Sequence, residues 1–239
     1  MVLCLFSLLG LTLLGLQFAT GKELPKKRSD LSNLSQRNQE RLARELRPIL
    51  KATGGAGRLY VRSKCLGESG NLLFFPRIDL KPGSNRKPGI ARIQAAFDGN
   101  KEVKIAERQP GLVGIWISSV SNDLLKTTIR VLELGPRPRY NYYDAIEAII
   151  SAKEIQAKMR ELQMDELTTF ASYPILSPDP RLRHLPDSMT NLTMDEALDQ
   201  VARAFGGLVI YRECSGENPR RRFSIDFEAV AESAVDEGL

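Results

Sequence analysis

Histidine and cysteine, two common metal-ligating residue types, are scarce in this sequence. Its 239 residues include one histidine, His184, and three cysteines that lie far apart in the chain. These are too few ligands for a tetrahedral zinc site, so we expect no bound metal. His184 lies in a proline-flanked loop with no serine nucleophile motif, which favours a solvent-facing histidine over a catalytic base.

Nucleotide-binding loops and paired catalytic carboxylates are also missing as clear patterns. The glycine-rich residues 54–57 lack the Lys-Ser/Thr ending of a nucleotide loop and the dinucleotide spacing, so we interpret them as the end of a helix. Asp195, Glu196 and Asp199 gather near the start of a predicted helix, where the helix dipole favours acidic side chains without any chemistry. We therefore predict no catalytic residues and no small-molecule cofactor.

Composition and charge limit the class of protein. Hydrophobic residues make up 42% of the sequence, enough for one large or two small domains, which excludes a disordered chain. Residues 22–108 contain 20 Lys/Arg against 9 Asp/Glu, a net charge of +11, whereas residues 109–239 contain 14 against 20, a net charge of −6. A basic half can attract nucleic acid or anionic lipid. Alternatively, the two halves attract each other or present solvated faces.

The N-terminus carries an apolar run over residues 2–18, followed by Ala19, Thr20 and Gly21. Small residues there suit cleavage before Lys22, so we predict that residues 1–21 form a signal peptide and that the protein is periplasmic or secreted. The alternative is an uncleaved membrane anchor formed by residues 2–20, because basic residues follow the run and none precedes it.

Two cysteines remain in the mature chain, since Cys4 lies inside the apolar run. In an oxidising compartment, Cys65 and Cys214 could form one disulfide that ties the front of the chain to its back. Two unrelated free thiols are the alternative.

A basic linker and an amphipathic helix occupy residues 22–54. Apolar residues at three- and four-residue steps predict a helix over residues 32–52, stopped by glycines. Its polar face carries Arg37, Arg41 and Arg44 at helical spacing. This stripe could meet an anionic partner, such as phosphate or a lipid surface, and a solvated face is the alternative.

Residues 55–167 show the pattern of an α+β domain. We predict two strands within residues 57–80, a helix over 88–97 followed by a hairpin over 102–118, a short helix at 122–126, a strand over 128–134 and a long helix over 141–162. Trp116, on the second strand of that hairpin, favours core packing. Four prolines in residues 168–190 indicate a linker and a domain boundary, and residues 229–239 form an acidic tail.

The clearest pattern in the chain is a helix that leads into a hairpin at residues 191–228. Thr193 and Glu196 have the spacing of a capping box, and a one-sided apolar stripe runs to Phe205 before two glycines. Two alternating strand patterns follow. Helix and strands must cover each other, which predicts an α+β fold of helix–hairpin units packed as helix-on-sheet layers. Residues 88–118 resemble this unit, and we weigh two related copies against chance similarity.

Residues 191–227, with their Asn-Leu-Thr-Met-Asp-Glu-Ala-Leu-Asp opening, glycine stop and Leu-Val-Ile-Tyr strand, resemble the short N-terminal (STN-like) domain of secretins and TonB-dependent receptors. The resemblance covers about 40 of 239 residues. It implies a periplasmic module that works by protein contact and has no catalytic residues. Too few residues follow it for an outer-membrane barrel, so we expect a stand-alone or partner-linked protein with a similar module.

These observations favour an exported, non-catalytic envelope protein that binds another envelope protein. Two alternatives stay open: a hydrolase of envelope polymers, and a binder of nucleic acid or anionic lipid through the basic N-terminal half.

Overall fold

The computed structural model describes residues 28–66, 72–81, 89–100, 102–121, 123–167, 184–215 and 221–230. The predicted signal peptide, most of the predicted linker at 168–190 and the tail beyond residue 230 lie outside these residues. Within the described ranges, no helix is both long enough and apolar enough to cross a membrane.

Helices and strands alternate along the chain. The helices are α1 (Arg28–Lys51), α2 (Ile90–Ala96), α3 (Pro136–Tyr140), α4 (Tyr142–Ser151), α5 (Lys153–Glu161) and α6 (Met194–Phe205). The strands are β1 (Ala56–Leu66), β2 (Leu72–Leu73), β3 (Val103–Gln109), β4 (Leu112–Ile117), β5 (Thr128–Glu133), β6 (Met164–Glu166), β7 (Ser188–Thr193), β8 (Gly207–Ser215) and β9 (Arg221–Ala229).

One mixed sheet organises these elements, in the strand order β3-β4-β1-β8-β9-β6. β1 runs parallel to both of its neighbours, with Tyr60 in register with Trp116 of β4 and Tyr211 of β8. Two antiparallel hairpins, β3–β4 and β8–β9, flank β1. β2 pairs with the end of β1, and β5 and β7 form a separate two-stranded sheet. The predicted α+β class is confirmed, and both helix–hairpin units share one sheet.

Helices cover both faces of this sheet and create two cores. Successive residues of a strand point to opposite faces, so Leu59 and Val61 enter the core shared with α1 and α2, while Tyr60 enters the core shared with α4, α5 and α6. The second core also includes residues of β5 and β7, such as Ile129 and Met189.

The helix–hairpin made of α6, β8 and β9, which we call the α6 unit, forms as its sequence predicts. Thr193 Oγ1 accepts a hydrogen bond from the Glu196 amide, and the Glu196 carboxylate accepts one from the Thr193 amide, which completes a capping box. Gly206 ends the helix with a left-handed φ of 61°. Gly207 lies under the Phe227 ring, where a Cβ atom would come within 2.1 Å of the ring.

The helix–hairpin made of α2, β3 and β4, which we call the α2 unit, has the same order of elements but a different placement. α2 packs on the α1 face of the sheet, whereas α6 packs on the opposite face. In the α6 unit the first hairpin strand, β8, pairs with β1. In the α2 unit the second strand, β4, does so, and β3 is therefore left at the edge of the sheet.

Two predicted elements are wrong in their extent. The long helix over 141–162 is divided into α4 and α5, because Ala152 adopts extended backbone angles (φ −57°, ψ 137°). The strand expected up to residue 80 is limited to β2, and side chains of α1 hold the chain that follows it. Asn38 Nδ2 donates to the Phe75 carbonyl at 3.1 Å, and Arg41 Nη2 donates to the Ile78 carbonyl at 2.8 Å.

Three smaller features differ from prediction. Residues 123–126 form a turn in place of the short helix, and the predicted break after residue 134 contains α3. The strand β7, inside the predicted linker and the start of the next module, pairs with β5 from Thr128–Thr193 to Glu133–Ser188. Residues 188–193 form a strand because their backbone pairs with the distant strand β5, and the local sequence does not indicate this partner.

The predicted boundary at 168–190 does not divide the sheet. β1 and β8 come from opposite sides of it and pair in register from Gly57–Leu208 to Lys64–Ser215. Across the same boundary, Tyr142 of α4 stacks on Phe227 of β9 with ring centroids 4.0 Å apart. Prolines indicate a loop, but they do not indicate which strands pair across it.

Candidate functional site

Two arginines and two aspartates meet where α6 crosses the sheet. Arg58 projects from β1 and Arg108 from β3, on the face that α6 covers. Asp195 and Asp199 are four residues apart, so they share one side of α6 and face these cations. We call these four residues the α6 charge cluster.

Arg58 is the most buried member of the α6 charge cluster, with a fully inaccessible side chain. Its Nη1 atom donates to Asp199 Oδ1 at 2.8 Å and to the Asp195 backbone carbonyl at 2.7 Å. Its Nη2 atom lies 3.0 Å from Asp195 Oδ1. An arginine buried to this extent requires such paired acceptors, because an uncompensated charge in a protein core is costly.

Arg108 closes the cluster from the edge of the sheet. Its Nη2 atom donates to Asp195 Oδ2 at 2.6 Å, and its Nε atom donates to Asp199 Oδ2 at 3.0 Å. Each aspartate therefore bridges both arginines, and the two positive charges are matched by two negative ones.

Aromatic rings form the floor of the cluster. The guanidinium carbons of Arg58 and Arg108 lie 5.0 and 5.7 Å from the centre of the Tyr60 ring, within cation–π range. The Tyr60 hydroxyl donates to Asp195 Oδ1 at 2.7 Å. Trp116 stacks on Tyr60 with centroids 5.0 Å apart and planes 3° apart. Gly114 leaves room for this ring, since a Cβ atom there would come within 2.3 Å of it.

This arrangement suits a structural role, in which the cluster holds α6 against the sheet, better than it suits acid–base chemistry. All four carboxylate oxygens of Asp195 and Asp199 contact an arginine, and one of them also accepts from Tyr60. Burial raises the pKa of the Tyr60 hydroxyl well above its ordinary value, so it stays protonated as a donor. A general base needs an oxygen that can reach a substrate proton, and these oxygens are already engaged.

The sequence interpretation of these residues was incomplete. The helix dipole explains acidic residues near the start of α6, and it does not explain why Asp199 is buried. A usable signal was the four-residue spacing of Asp195 and Asp199, combined with Arg58 and Tyr60 on alternate positions of a strand. Trp116, predicted to be core, is partly buried and packs against the larger core.

A second polar cluster surrounds Glu213 on β8, whose side chain is almost fully buried. Its carboxylate accepts a hydrogen bond from the Ser121 amide and lies 3.4 Å from the Tyr211 hydroxyl and 3.5 Å from Arg221 Nη2. Arg62 Nε lies 3.8 Å away. Burial raises the pKa of this carboxyl above its usual range, although the Ser121 amide and the arginines act in the opposite direction.

The disulfide predicted between Cys65 and Cys214 is present. It joins the neighbouring strands β1 and β8 across 149 residues of sequence, with Cα atoms 5.0 Å apart. It therefore links the front of the chain to the α6 unit beside the Glu213 cluster.

The predicted arginine stripe of α1 is only partly solvent-facing. Arg41 Nη1 donates to Asp79 Oδ1 at 2.6 Å, and this bond lowers the pKa of the Asp79 carboxyl. Arg37 Nε donates to the Asn33 carbonyl of its own helix at 3.2 Å. Arg37 and Arg44 have exposed side chains, and the proposed anionic-partner role of all three stays a prediction.

His184 has an exposed side chain, with its ring 5.2 Å from that of Tyr140. In the described part of the chain, no group of three His, Cys, Asp or Glu residues is placed to hold a metal ion.

A further surface lies at the margin of the sheet. Among the described residues, β3 has β4 as its only ladder partner. A groove of about 280 Å³ runs beside β3, lined by residues 97–100 after α2 together with Gln94, Val103 and Ile105. Lys104 and Ala106 are exposed and alternate with the groove-lining residues. We call residues 103–107 and this groove the β3 edge.

Comparisons with known proteins give no relative. The likeness of residues 191–227 to the secretin and receptor domain therefore stays a prediction. No family model, no curated protein and no solved structure matches this chain.

Proposed function

We propose that this protein is an exported, non-catalytic component of the cell envelope that binds another envelope protein. The observation that carries the proposal is the β3 edge, where one strand of a well-packed sheet has no ladder partner on its outer side within the described residues. Such an edge is a template for pairing with another chain.

The side chains of the α6 charge cluster are paired with one another, which supports a non-catalytic role. The carboxylates of the α6 charge cluster neutralise Arg58 and Arg108 and fasten α6 to the sheet. A hydrolase of envelope polymers would instead need two carboxyl groups that face each other across an accessible cleft. Asp195 and Asp199 lie on one side of one helix and contact cations, so they favour stability over hydrolysis.

The disulfide supports export. Bonds of this kind persist in the periplasm and outside the cell, whereas cytosolic thiols are kept reduced. The family resemblance implies the same compartment and the same mode of action, which is contact between proteins. The signal peptide proposed at residues 1–21 would deliver the chain there.

Site-specific photo-crosslinking in producing cells tests this function. A photo-reactive phenylalanine analogue is placed at Ala106, Val131 or Arg44, which are exposed on β3, β5 and α1. We expect a discrete adduct from at least one position, containing an envelope protein that mass spectrometry identifies. Absence of an adduct from every position, or turnover of an envelope polymer by the purified protein, would overturn the proposal.

A second candidate partner is an anionic surface, which the exposed side chains of Arg37 and Arg44 favour. These two residues are seven positions apart and therefore share one side of α1. The protein should sediment with vesicles that contain anionic lipid, and this binding should weaken as salt increases. Arg44→Glu should reduce it, whereas equal binding to neutral vesicles would exclude this partner.

A further inference from the structure

We propose that the β3 edge binds an extended segment of the partner as an added strand, and that this segment alternates apolar and acidic residues. The inference rests on the proposed function and adds the chemistry of the partner. The β3 edge lies outside the stretch that resembles the secretin and receptor domain, so that resemblance does not supply it.

The backbone of β3 provides the first requirement. In an edge strand, alternate residues direct their N–H and C=O groups away from the sheet, where another strand can pair with them. The β3–β4 register is regular from Val103 to Glu107 and shifts between Glu107 and Gln109. A bulge twists the strand and disrupts pairing, so the added strand meets the five residues 103–107.

The groove provides the second requirement, on the α2 face of the sheet. Val103 and Ile105 form one wall, and Phe97 contributes to the other. A volume of about 280 Å³ lies below the roughly 300–1,000 Å³ of small-molecule pockets, so it suits individual side chains. The lining also includes the polar residues Gln94, Asp98 and Asn100. Residues of an added strand that point to this face lie beside Val103 and Ile105, and for this reason we assign them apolar side chains.

Charge provides the third requirement, on the opposite face. Lys104 is exposed and has no ion pair within the described ranges. The neighbouring cation on this face, Arg108, is neutralised by Asp195 and Asp199. A partner residue opposite Lys104 is therefore acidic, since opposite charges across a strand pair are stabilising. Because side chains alternate between faces, the recognised pattern is apolar, acidic, apolar.

A second copy of this chain matches the β3 edge poorly. Two β3 strands paired antiparallel about Ala106 would place Lys104 opposite Arg108. Pairing about Ile105 would place Val103 opposite Glu107. Neither register provides an acid for Lys104. Pairing about Val103 would place Lys104 opposite Glu102, but that register uses only residues 103–105 of the β3 edge, which favours a different protein as the occupant.

Three synthetic heptapeptides serve as probes. The first alternates valine with aspartate or glutamate, and the second alternates valine with lysine. The third has the same composition as the first, but its valines form one block and its acidic residues another. Binding to the full, disulfide-intact protein is followed by backbone amide NMR. Amide exchange is first measured without peptide, when the amides of residues 103–107 should exchange faster than those of β1 and β8.

The alternating acidic peptide should shift the amide signals of residues 103–107 and protect those amides that point away from β4. Lys104→Glu should weaken its binding about five-fold, the size expected when an exposed cross-strand ion pair becomes a like-charge pair. The same variant should strengthen binding of the lysine peptide by a similar factor. Lys126→Glu, which reverses another exposed lysine in the turn before β5, should change neither affinity.

Several results would overturn the inference. One is protection, without peptide, of the β3 amides that point away from β4, which means that a second copy or another segment of this chain fills the edge. Another is equal binding of the blocked and alternating peptides. Unchanged affinity in Lys104→Glu would have the same meaning. If crosslinking in cells identifies an envelope partner while the peptides fail, this inference falls and the proposed function stands. If no position crosslinks, the function itself fails.

Discussion

The two helix–hairpin units of this protein share a local pattern and differ in how tightly the rest of the molecule holds them. The α6 unit begins with a complete capping box, places β8 between two strands, and is fastened by a buried charge cluster and a disulfide. The α2 unit begins at Gly89 without a side-chain cap, and its strand β3 lies at the sheet margin.

This difference separates a rigid part from an accessible part within one sheet. Strands paired on both sides exchange their amides only when large parts of the fold open, whereas edge strands open locally. The α6 unit therefore provides stability, and the α2 unit contains the sheet edge at which we propose that a partner adds.

Removal of one buried charge should have the largest effect. Arg58→Met leaves Asp199 and Asp195 short of a cation, so the free energy of unfolding should fall by about 3–5 kcal/mol. Arg58→Met combined with Asp199→Leu should recover much of this loss, because the remaining charges match again. Asp98 of the α2 unit pairs with Lys81 at 3.0 Å on the surface, and Lys81→Met should cost at most about 1 kcal/mol. Urea unfolding of all three variants measures these values, and equal losses in the two units would contradict the division.

Loss of the disulfide should have the next effect. Replacing both Cys65 and Cys214 with serine should lower the free energy of unfolding by about 2–4 kcal/mol, because the unfolded chain regains the freedom that a 149-residue link removes. Chemical denaturation with and without reductant checks this value. The serine variant should not respond to reductant, and a wild-type protein equally insensitive to it would argue against the bond.

The helix cap gives a smaller effect. Thr193→Ala removes the hydroxyl that accepts from the Glu196 amide, and should cost about 1 kcal/mol. Thr190→Ala, in the exposed part of β7, is the matched control and should change stability by less than about 0.5 kcal/mol. Thermal unfolding of both variants gives the comparison, and a loss confined to Thr190→Ala would contradict it.

The pH dependence of Glu213 should have the smallest effect. Burial raises the pKa of this carboxyl in the folded protein, so the folded state binds the proton more tightly than the unfolded chain does. Its contribution is full below the ordinary glutamate pKa of about 4.3 and is lost as pH rises through the folded-state pKa. The wild-type free energy of unfolding minus that of Glu213→Gln should therefore decrease from about pH 4 towards neutrality. Urea titrations across that range check the sign, and an increase would contradict it.

The sequence predicted local structure well where the stabilising contacts lie between residues that are close together in the chain. The α6 cap, its apolar face and the β8–β9 hairpin depend on residues within forty positions of each other, and all of them form. The sequence did not reveal contacts between distant segments. The parallel pairing of β1 with β8, the β5–β7 sheet and the meeting of Arg58 with Asp199 depend on how the sheet is assembled.

The α6 charge cluster illustrates why such sites are hard to predict. Asp195 has a sufficient local explanation at the start of a helix, so its spacing to Asp199 does not by itself indicate a buried cluster. Arg58 lies 137 residues before Asp195 and resembles an ordinary charged residue of a strand. The disulfide was predictable because only two cysteines were available to form it.

The central position of β1 also has a consequence for the order of assembly. Its partner β8 is made about 150 residues later, so the sheet cannot close while the chain is still emerging from the ribosome or the export channel. Folds dominated by pairings so distant in sequence form slowly, and a partly assembled sheet exposes β1 in the meantime. A chain with this topology therefore completes its sheet late, which suits the passage through a membrane in an unfolded state that the proposed export requires.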